Sequence, residues 1–123
     1  MTIQGIHHVQ ITIPVGQENT ARAFYCDLLG LTEIPKPDAL RGRGGLWLQV
    51  GAQEVHVGTE DGVNRRATKA HIAYEVDALT PWRTRLNNAG IEVIDSIPIA
   101  GYDRIECRDP FGNRVEINQR LKQ

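Results

Sequence analysis

Three histidines and one glutamate are the side chains of this sequence best suited to bind a metal ion. His8, His56, His71 and Glu116 each lie in a short run in which apolar and polar residues alternate. Imidazole nitrogens and a carboxylate oxygen are typical ligands of divalent first-row ions such as Zn²⁺, Ni²⁺, Fe²⁺, Mn²⁺ and Co²⁺. Because imidazole binds a metal only in its neutral form, such a site should weaken below about pH 6.

Strand alternation predicts which of these side chains share a face. In HVQITI and HIAYEV, the histidine that opens each run is followed by apolar residues at every second position. If the apolar side chains pack on a helix, His8 and His71 point to the opposite face, and His56 and Glu116 do the same in EVHV and RVEIN. His7 would then share the apolar face and be a capped or partly buried structural histidine.

The two halves of the chain repeat one pattern of elements. Helices are predicted at Glu18–Leu29 and Pro81–Ala89, and each stops at a glycine suited to a left-handed cap, Gly30 or Gly90. Thr80 is the predicted N-cap of the second helix. Short strands are predicted around these helices, at residues 8–13, 33–34, 45–50 and 54–57 in the first half and 71–76, 92–94, 104–108 and 114–118 in the second.

This β-α-β-β-β repeat predicts an α+β fold made of two paired modules, about residues 1–62 and 63–123, within a single domain 1–123. A unit of about 55 residues is too small to bury its own sheet well, so the modules are expected to pair about a pseudo-twofold axis. Helices would cover the outer faces, and the two curved mixed sheets would enclose a cleft. The four candidate ligands, two from each module, would converge there on one ion.

Composition and charge limit the expected partners of this chain. Lys and Arg total 14 and Asp and Glu total 15, so the net charge of −1 gives no reason to expect a nucleic-acid or anionic-membrane surface. No apolar run approaches the roughly 20 residues of a membrane span, and MTIQGIHH lacks the features of a signal peptide. The two scattered cysteines, Cys26 and Cys107, favour reduced thiols and hence a cytoplasmic location.

Four segments, HHVQITIP, AFYCDLLGL, HIAYEVD and above all DPFGNRVEI, resemble the vicinal oxygen chelate superfamily. Its members include glyoxalases, methylmalonyl-CoA epimerases, extradiol dioxygenases, fosfomycin-resistance thiol transferases and bleomycin-binding proteins. The resemblance extends over nearly the whole chain and implies paired βαβββ modules, in agreement with the repeat. It also implies a homodimer, often with each site built by modules from two chains, and the sequence leaves open whether that pairing is swapped.

The resemblance implies a divalent metal held by the first and last strands of each module, which here carry His8, His56, His71 and Glu116. Many glyoxalase- and epimerase-like members have Glu or Gln where His56 stands, and dioxygenases and fosfomycin transferases use only the other three positions. His56 is therefore either a fourth ligand or a neighbour of the ligands. The ion would chelate two neighbouring oxygens of a small-molecule substrate, and Glu116 or His56 would act as the base for a proton on carbon.

Four further side chains are candidates for contacting the substrate. Trp47 and Gln49 share one side of their predicted strand, and Trp47 either lines the cleft or packs against the helix. Tyr102 and Arg104 alternate with apolar neighbours, and Arg104 is either a bidentate ligand for a carboxylate or phosphate or a surface charge. The basic segments RGRGG and NRR are predicted to be solvated loops, which would recognise an anionic substrate if they act.

Three functions remain open at this point. The first is a metal-dependent lyase, isomerase or transferase of glyoxalase type acting on a small oxygenated molecule. The second is an Fe²⁺ extradiol dioxygenase using His8, His71 and Glu116, although such enzymes are usually longer. The third is a metal-free protein that sequesters a small aromatic compound or drug, for which seven Trp, Tyr and Phe side chains are a modest supply.

Overall fold

The computed structural model describes residues 1–122, which form two compact units. The first unit is Met1–Val63, and the second begins at Asn64. Each unit contains a four-stranded mixed sheet, and the order of its main elements is β-α-β-β-β. The predicted α+β fold of repeated βαβββ modules is therefore confirmed.

The sheet of the first unit has its first and last strands side by side. The strand order is β1-β4-β3-β2, with β1 parallel to β4 and the other neighbours antiparallel. Its strands are β1 (His8–Ile13), β2 (Thr32–Ile34), β3 (Leu46–Val50) and β4 (Gln53–Thr59). Helix α1 (Glu18–Arg22) continues as a π-helical segment, Ala23–Leu28, and a 3₁₀ helix spans Asp38–Arg43.

The second unit repeats this topology. The strand order is β5-β8-β7-β6, with β5 parallel to β8 and the other neighbours antiparallel. Its strands are β5 (His71–Val76), β6 (Ile94–Asp95), β7 (Tyr102–Arg108) and β8 (Arg114–Arg120). Helix α2 spans Thr80–Asn88, and a 3₁₀ turn at Arg65–Ala67 precedes β5. No helix within residues 1–122 has the length and apolar composition needed to span a bilayer.

Glycines end both longer helical segments, as predicted. Gly30 and Gly90 have φ angles of +77° and +76°, in the left-handed region that glycine adopts without a Cβ clash. Behind Gly90, the amide of Ile91 donates to the carbonyl of Leu86 at 3.0 Å, as in a Schellman cap. Each glycine therefore turns the chain out of its helix.

The first helical stretch lies where it is predicted, as α1 (Glu18–Arg22) followed by the π-helical segment Ala23–Leu28. One prediction about the helices is wrong. Thr80 does not cap α2 but is its first helical residue, and Leu79 occupies the N-cap position without a side-chain cap. The backbone amide of Leu79 instead donates to Oε1 of Gln119 at 2.9 Å. A side chain 40 residues away in sequence thus satisfies the amide at the helix start.

Two predictions outside the helices also fail. β6 was expected at residues 92–94 but begins at Ile94, because only Ile94 and Asp95 find partners on β7. Arg65, in a segment expected to be solvated, is only 6% exposed and lies in the 3₁₀ turn before β5.

The pairing register gives each sheet one apolar and one polar face. Directly paired residues point to the same side. In the first unit, His8 pairs with Glu54 and His56 pairs with Gln10 and Trp47, whereas the buried Leu46, Leu48, Val55 and Val57 occupy the other face. In the second unit, Glu116 shares its face with His71, and the buried Ile105, Cys107, Val115 and Ile117 lie opposite. The predicted sharing of faces is therefore confirmed within each unit.

Candidate functional site

Three aromatic rings stack on the polar face of the first unit. The ring of His56 lies between those of Trp47 and His8, with centroids 3.9 and 4.0 Å away and interplanar angles of 5° and 13°. The register explains this, because Trp47 is the direct partner of His56 and His8 opens the strand on its other side. Trp47 therefore lies on the histidine face rather than the apolar face. His56 is 5% exposed, whereas His8 is open to solvent.

Glu54 fixes one nitrogen of His56. Its Oε1 lies 2.9 Å from Nε2 of His56, two residues along β4 on the same face. The hydrogen bond to His56 lowers the pKa of Glu54, so the carboxylate is ionised at neutral pH. If Nε2 donates its proton to this carboxylate, Nδ1 of a neutral His56 carries the lone pair. Only one ring nitrogen of His56 is then open to a proton or a metal.

His7 lies just before β1 and differs from the prediction. Its side chain is 76% exposed, because the strand that would have buried it begins one residue later. Its Nδ1 lies 2.9 Å from Nδ1 of His8. His7 is thus a solvent-exposed neighbour of a candidate ligand rather than a partly buried residue on the apolar face.

His71 and Glu116 lie side by side on the second unit. Nε2 of His71 is 3.4 Å from Oε1 of Glu116, which is 4% exposed. Nδ1 of His71 lies 2.8 Å from the carbonyl oxygen of Lys69. Because a carbonyl only accepts, Nδ1 carries the proton in the neutral ring, and Nε2 presents its lone pair toward Glu116.

Arg104 and Asn118 complete the surroundings of Glu116. Nη1 of Arg104 donates to Oε1 of Glu116 at 2.9 Å, and Nη2 donates to the carbonyl of Ile97 at 2.6 Å. Nδ2 of Asn118 donates to Oε2 of Glu116 at 3.3 Å. The side chain of Arg104 is only 16% exposed, so the alternative of a free surface charge is wrong. Tyr102 joins these three side chains around a cavity of about 320 Å³.

Gln49 lies on the polar face of the first sheet but is already engaged. Its Nε2 donates to the carbonyls of Gly51 and Gln53, at 2.9 and 3.0 Å. These bonds close the β3–β4 hairpin. Substrate contact by Gln49 therefore remains a prediction, and in the structure its amide nitrogen supports the turn.

The four candidate ligands occupy matching positions in the two units. His8 and His71 are the first residues of β1 and β5. His56 pairs with the third residue of β1, and Glu116 pairs with the third residue of β5. Within residues 1–122, no three His, Cys, Asp or Glu side chains lie together as a ready-made metal site. Two of the candidates, His8 and His56, belong to the first unit and two, His71 and Glu116, to the second. Their convergence on one ion remains a prediction.

The pair on the second unit fits a divalent ion in its donor chemistry. Metal–ligand bonds of about 2.0–2.2 Å place neighbouring donors about 3 Å apart, close to the 3.4 Å between Nε2 of His71 and Oε1 of Glu116. The bond from Nδ1 of His71 to the Lys69 carbonyl is the outer contact that typically orients a ligating histidine. His56 fits less well, because its Nε2 is bonded to Glu54 and rings lie against both of its faces.

The chain combines two βαβββ units with two candidate metal-ligand side chains on the polar sheet face of each. The sequence profile of the Glyoxalase/Bleomycin resistance protein/Dioxygenase superfamily matches residues 5–117. The chain belongs to this superfamily. None of the curated proteins compared with the chain matches it.

Solved structures of this superfamily resemble the chain along nearly its whole length. A glyoxalase family protein from Bacillus anthracis is 45% identical, with a TM-score of 0.91 and coverage of 98% of both chains. Lactoylglutathione lyase from Agrobacterium tumefaciens is 20% identical, with a TM-score of 0.74 and coverage of 96% of this chain and 95% of that one. The fosfomycin resistance protein FosX from Listeria monocytogenes, in a complex with Mn(II) and sulfate, is 17% identical, with a TM-score of 0.79 and coverage of 98% and 93%. The last two likenesses show the fold alone.

Sequence reasoning missed three residues that contact or surround the candidate ligands. Glu54 has the same strand parity as His56, so alternation alone could have placed it on this face. Asn118 follows Glu116 at the same spacing and could have been found in the same way. Lys36 lines a cavity together with His8 and His56, but no sequence signal marks it, because it lies in an irregular segment between β2 and β3.

Proposed function

We propose that this protein is a metal-dependent lyase, isomerase or transferase of glyoxalase type. In this proposal His8, His71 and Glu116 bind one divalent ion, which chelates two neighbouring oxygens of a small substrate. The observation that carries it is the pair on the second unit, where Nε2 of His71 faces Oε1 of Glu116 at 3.4 Å while a backbone carbonyl holds Nδ1.

The proposal extends to assembly and location. The pair on the first unit and the pair on the second would meet around the ion, within one chain or across a homodimer in the cytoplasm. Each unit carries its candidate ligands at the same register positions, which supports the proposal that the two modules contribute equivalent residues to the site.

A bound divalent ion would supply Lewis-acid stabilisation of negative charge on a substrate oxygen. Proton transfer is then the task of the chain itself. Glu54 holds Nε2 of His56 and so leaves Nδ1 to accept a proton from a substrate carbon. Trp47 covers one face of the His56 ring and limits the access of water to it. Glu116 is the alternative base in this proposal, with Oε1 facing His71 and Arg104.

One observation favours a second candidate, a metal-free protein that binds a small molecule. Arg104 donates to Oε1 of Glu116, the same oxygen that faces His71. A guanidinium at 2.9 Å offsets the charge of this buried carboxylate without any metal. Loss of the Arg104 contact when a metal binds would separate the two candidates.

Metal binding by purified variants tests the proposal. Calorimetric titration of metal-free protein with Zn²⁺ and Mn²⁺ should give one site per chain, and Glu116→Gln should weaken it by at least about 10-fold. Glu75→Gln is the matched control, because Glu75 lies on the same face of the second sheet and is paired with the exposed Arg120. Equal affinities of Glu116→Gln and Glu75→Gln for both metals would contradict the proposal.

A turnover screen separates the enzyme from the binding protein. Metal-loaded protein is assayed with hemithioacetals, catechols and acyl-CoA thioesters, alongside the Glu116→Gln variant. Turnover that Glu116→Gln abolishes supports the enzyme, and oxygen uptake with catechols would point to a dioxygenase. Stoichiometric ligand binding without turnover, unaffected by metal removal, would favour sequestration.

A further inference from the structure

Beside its stacked rings, the first unit has a cavity whose lining includes two basic side chains, Lys36 and Arg43. The cavity measures about 580 Å³, and its lining includes His8, His56 and Trp47 together with Lys36 and Arg43. Sites for small molecules typically measure about 300–1,000 Å³. None of the described residues that line this cavity is Asp or Glu. Its lining can therefore carry positive charge but no side-chain negative charge.

The charges of Lys36 and Arg43 are not neutralised by neighbours. Lys36 donates through Nζ to the carbonyl of Gly44, a neutral partner that leaves the ammonium charge intact. The side chain of Arg43 makes no hydrogen bond or ion pair among the interactions found in residues 1–122. Arg41, on the same segment, is paired with Asp38 at 3.0 Å and does not line the cavity. Residues 36–43 thus contribute two cations, Lys36 and Arg43, to the lining of the cavity, and among the described residues neither has an ion-pair partner.

Residues 43–45, at the end of the stretch that carries these cations, are held against β4. The hydroxyl of Thr59 donates to the carbonyl of Arg43 at 3.3 Å. Gly45 has φ +80°, and a Cβ there would lie 2.1 Å from the carbonyl oxygen of Val57. Only glycine permits this close approach of two backbones. The backbone that carries Arg43 is therefore held beside β4, the strand that bears His56.

We propose that this cavity binds the anionic group of the substrate, so that the substrate is a small oxygenated anion bearing a carboxylate or a phosphate. The assignment of this anion as substrate rests on the function proposed above. A guanidinium and an ammonium in one cavity suit an anion with two or three acceptor oxygens. With the anionic group of the substrate bound at Lys36 and Arg43, the rest of the substrate would contact His8, His56 and Trp47, which line the same cavity.

Anion binding to dialysed, metal-free protein tests this assignment. The probes are acetate and inorganic phosphate, with acetamide as the neutral isostere of acetate, followed by ¹H–¹⁵N NMR of the backbone and the Trp indoles. At least one anion should shift the Trp47 indole and the amides of residues 36–45, and acetamide should not. The anion with the larger effect identifies the group as carboxylate or phosphate. Equal effects of acetate and acetamide, or shifts confined to the second unit, would overturn the proposal.

Charge-removing variants assign the anion to its residues. Arg43→Gln should weaken binding of the preferred anion by about 10-fold, the usual effect of losing one charge-assisted hydrogen bond. Arg41→Gln is the matched control and should change the affinity by less than about 2-fold, since a paired surface charge contributes little. Equal losses in the two variants would refute a role for Arg43. Lys36→Gln provides a second variant, with thermal unfolding of each protein confirming that it is folded.

The same samples separate this proposal from the function on which it depends. Titration with Zn²⁺ should give the same affinity for wild type and Arg43→Gln, because Arg43 is not a proposed ligand. If the wild-type protein binds the anion but no metal, the proposal of a metal-dependent enzyme is refuted and the proposal of an anion-binding cavity is supported. If the wild-type protein binds metal but Arg43→Gln and Arg41→Gln bind anions equally well, the metal-dependent function is supported and the anion-binding role of Arg43 is refuted.

Discussion

The ion pair of Arg104 and Glu116 gives a prediction whose size follows from burial. Nη1 lies 2.9 Å from Oε1, and the two side chains are 16% and 6% exposed. Breaking a buried pair by removing one partner costs about 3–5 kcal/mol, because the other charge is left unpaired. Here His71 and Asn118 also contact Glu116, which reduces the loss. We therefore expect Arg104→Met to lower the free energy of unfolding by about 2–3 kcal/mol in metal-free protein.

A double-mutant cycle measures how much of this loss belongs to the pair. Urea unfolding at pH 7 is compared for wild type, Arg104→Met, Glu116→Gln and the double variant, with an expected coupling of about 1.5 kcal/mol. The control cycle uses Arg120 and Glu75, which are 3.3 Å apart on the same sheet but 70% and 58% exposed, and its coupling should stay below about 0.5 kcal/mol.

Two results would refute the reasoning about this pair. The first is a coupling for Arg104 and Glu116 no larger than that of the exposed control pair. The second concerns added Zn²⁺, which stabilises the folded protein in proportion to its binding. Since Arg104 and a metal would compete for Oε1 of Glu116, Zn²⁺ should stabilise Arg104→Met more than wild type. A smaller stabilisation of the variant would contradict a metal at this carboxylate.

Two further predictions concern stability and thiol chemistry. Gly45→Ala should cost more than about 3 kcal/mol by denaturant unfolding, combining about 1–2 kcal/mol for positive φ with the backbone clash, since its Cβ would lie 2.1 Å from the Val57 oxygen. Gly51→Ala, at φ +57° where the added Cβ would meet no atom within 4 Å beyond its chain neighbours, should cost only about 1 kcal/mol, and equal costs for the two variants would contradict the clash. Burial raises the pKa of Cys107 from 9.0 to about 11, so a thiol reagent at pH 8 should label half-buried Cys26 first and Cys107 only on unfolding. Because the thiol of Cys107 has a pKa near 9 in the unfolded protein and near 11 in the folded protein, the free energy of unfolding should fall as the pH rises between these values. A free energy of unfolding that does not change over this pH range would contradict the raised pKa.

Local sequence patterns were sufficient to predict the bounds and the faces of a strand, and the end of a helix, where that element carries the pattern in its own residues. The alternation in HVQITI and HIAYEV gave the bounds of β1 and β5 and the faces of His8 and His71, because a two-residue period needs no knowledge of partners. Gly30 and Gly90 marked the helix ends for a similar reason, since a left-handed residue after a helix is nearly always glycine or asparagine.

Features that depend on distant partners could not be predicted from local patterns. The bounds of β6 are set by pairing with β7, and the start of α2 is set by the side chain of Gln119, 40 residues from Leu79. Arg65 is buried although its neighbours in sequence suggest a solvated loop. The stacking of His56 between Trp47 and His8 required three strands in register, which the sequence shows only one at a time.

The most direct test of the central claim is the position of a bound metal. Crystals grown with Mn²⁺, with anomalous scattering measured near its absorption edge, show the ion and its ligands together. The account predicts one anomalous peak at coordination distance, about 2.0–2.3 Å, from His8, His71 and Glu116. A peak bound by other side chains, or a saturated protein in which Glu116 still bonds only to protein groups, would contradict it.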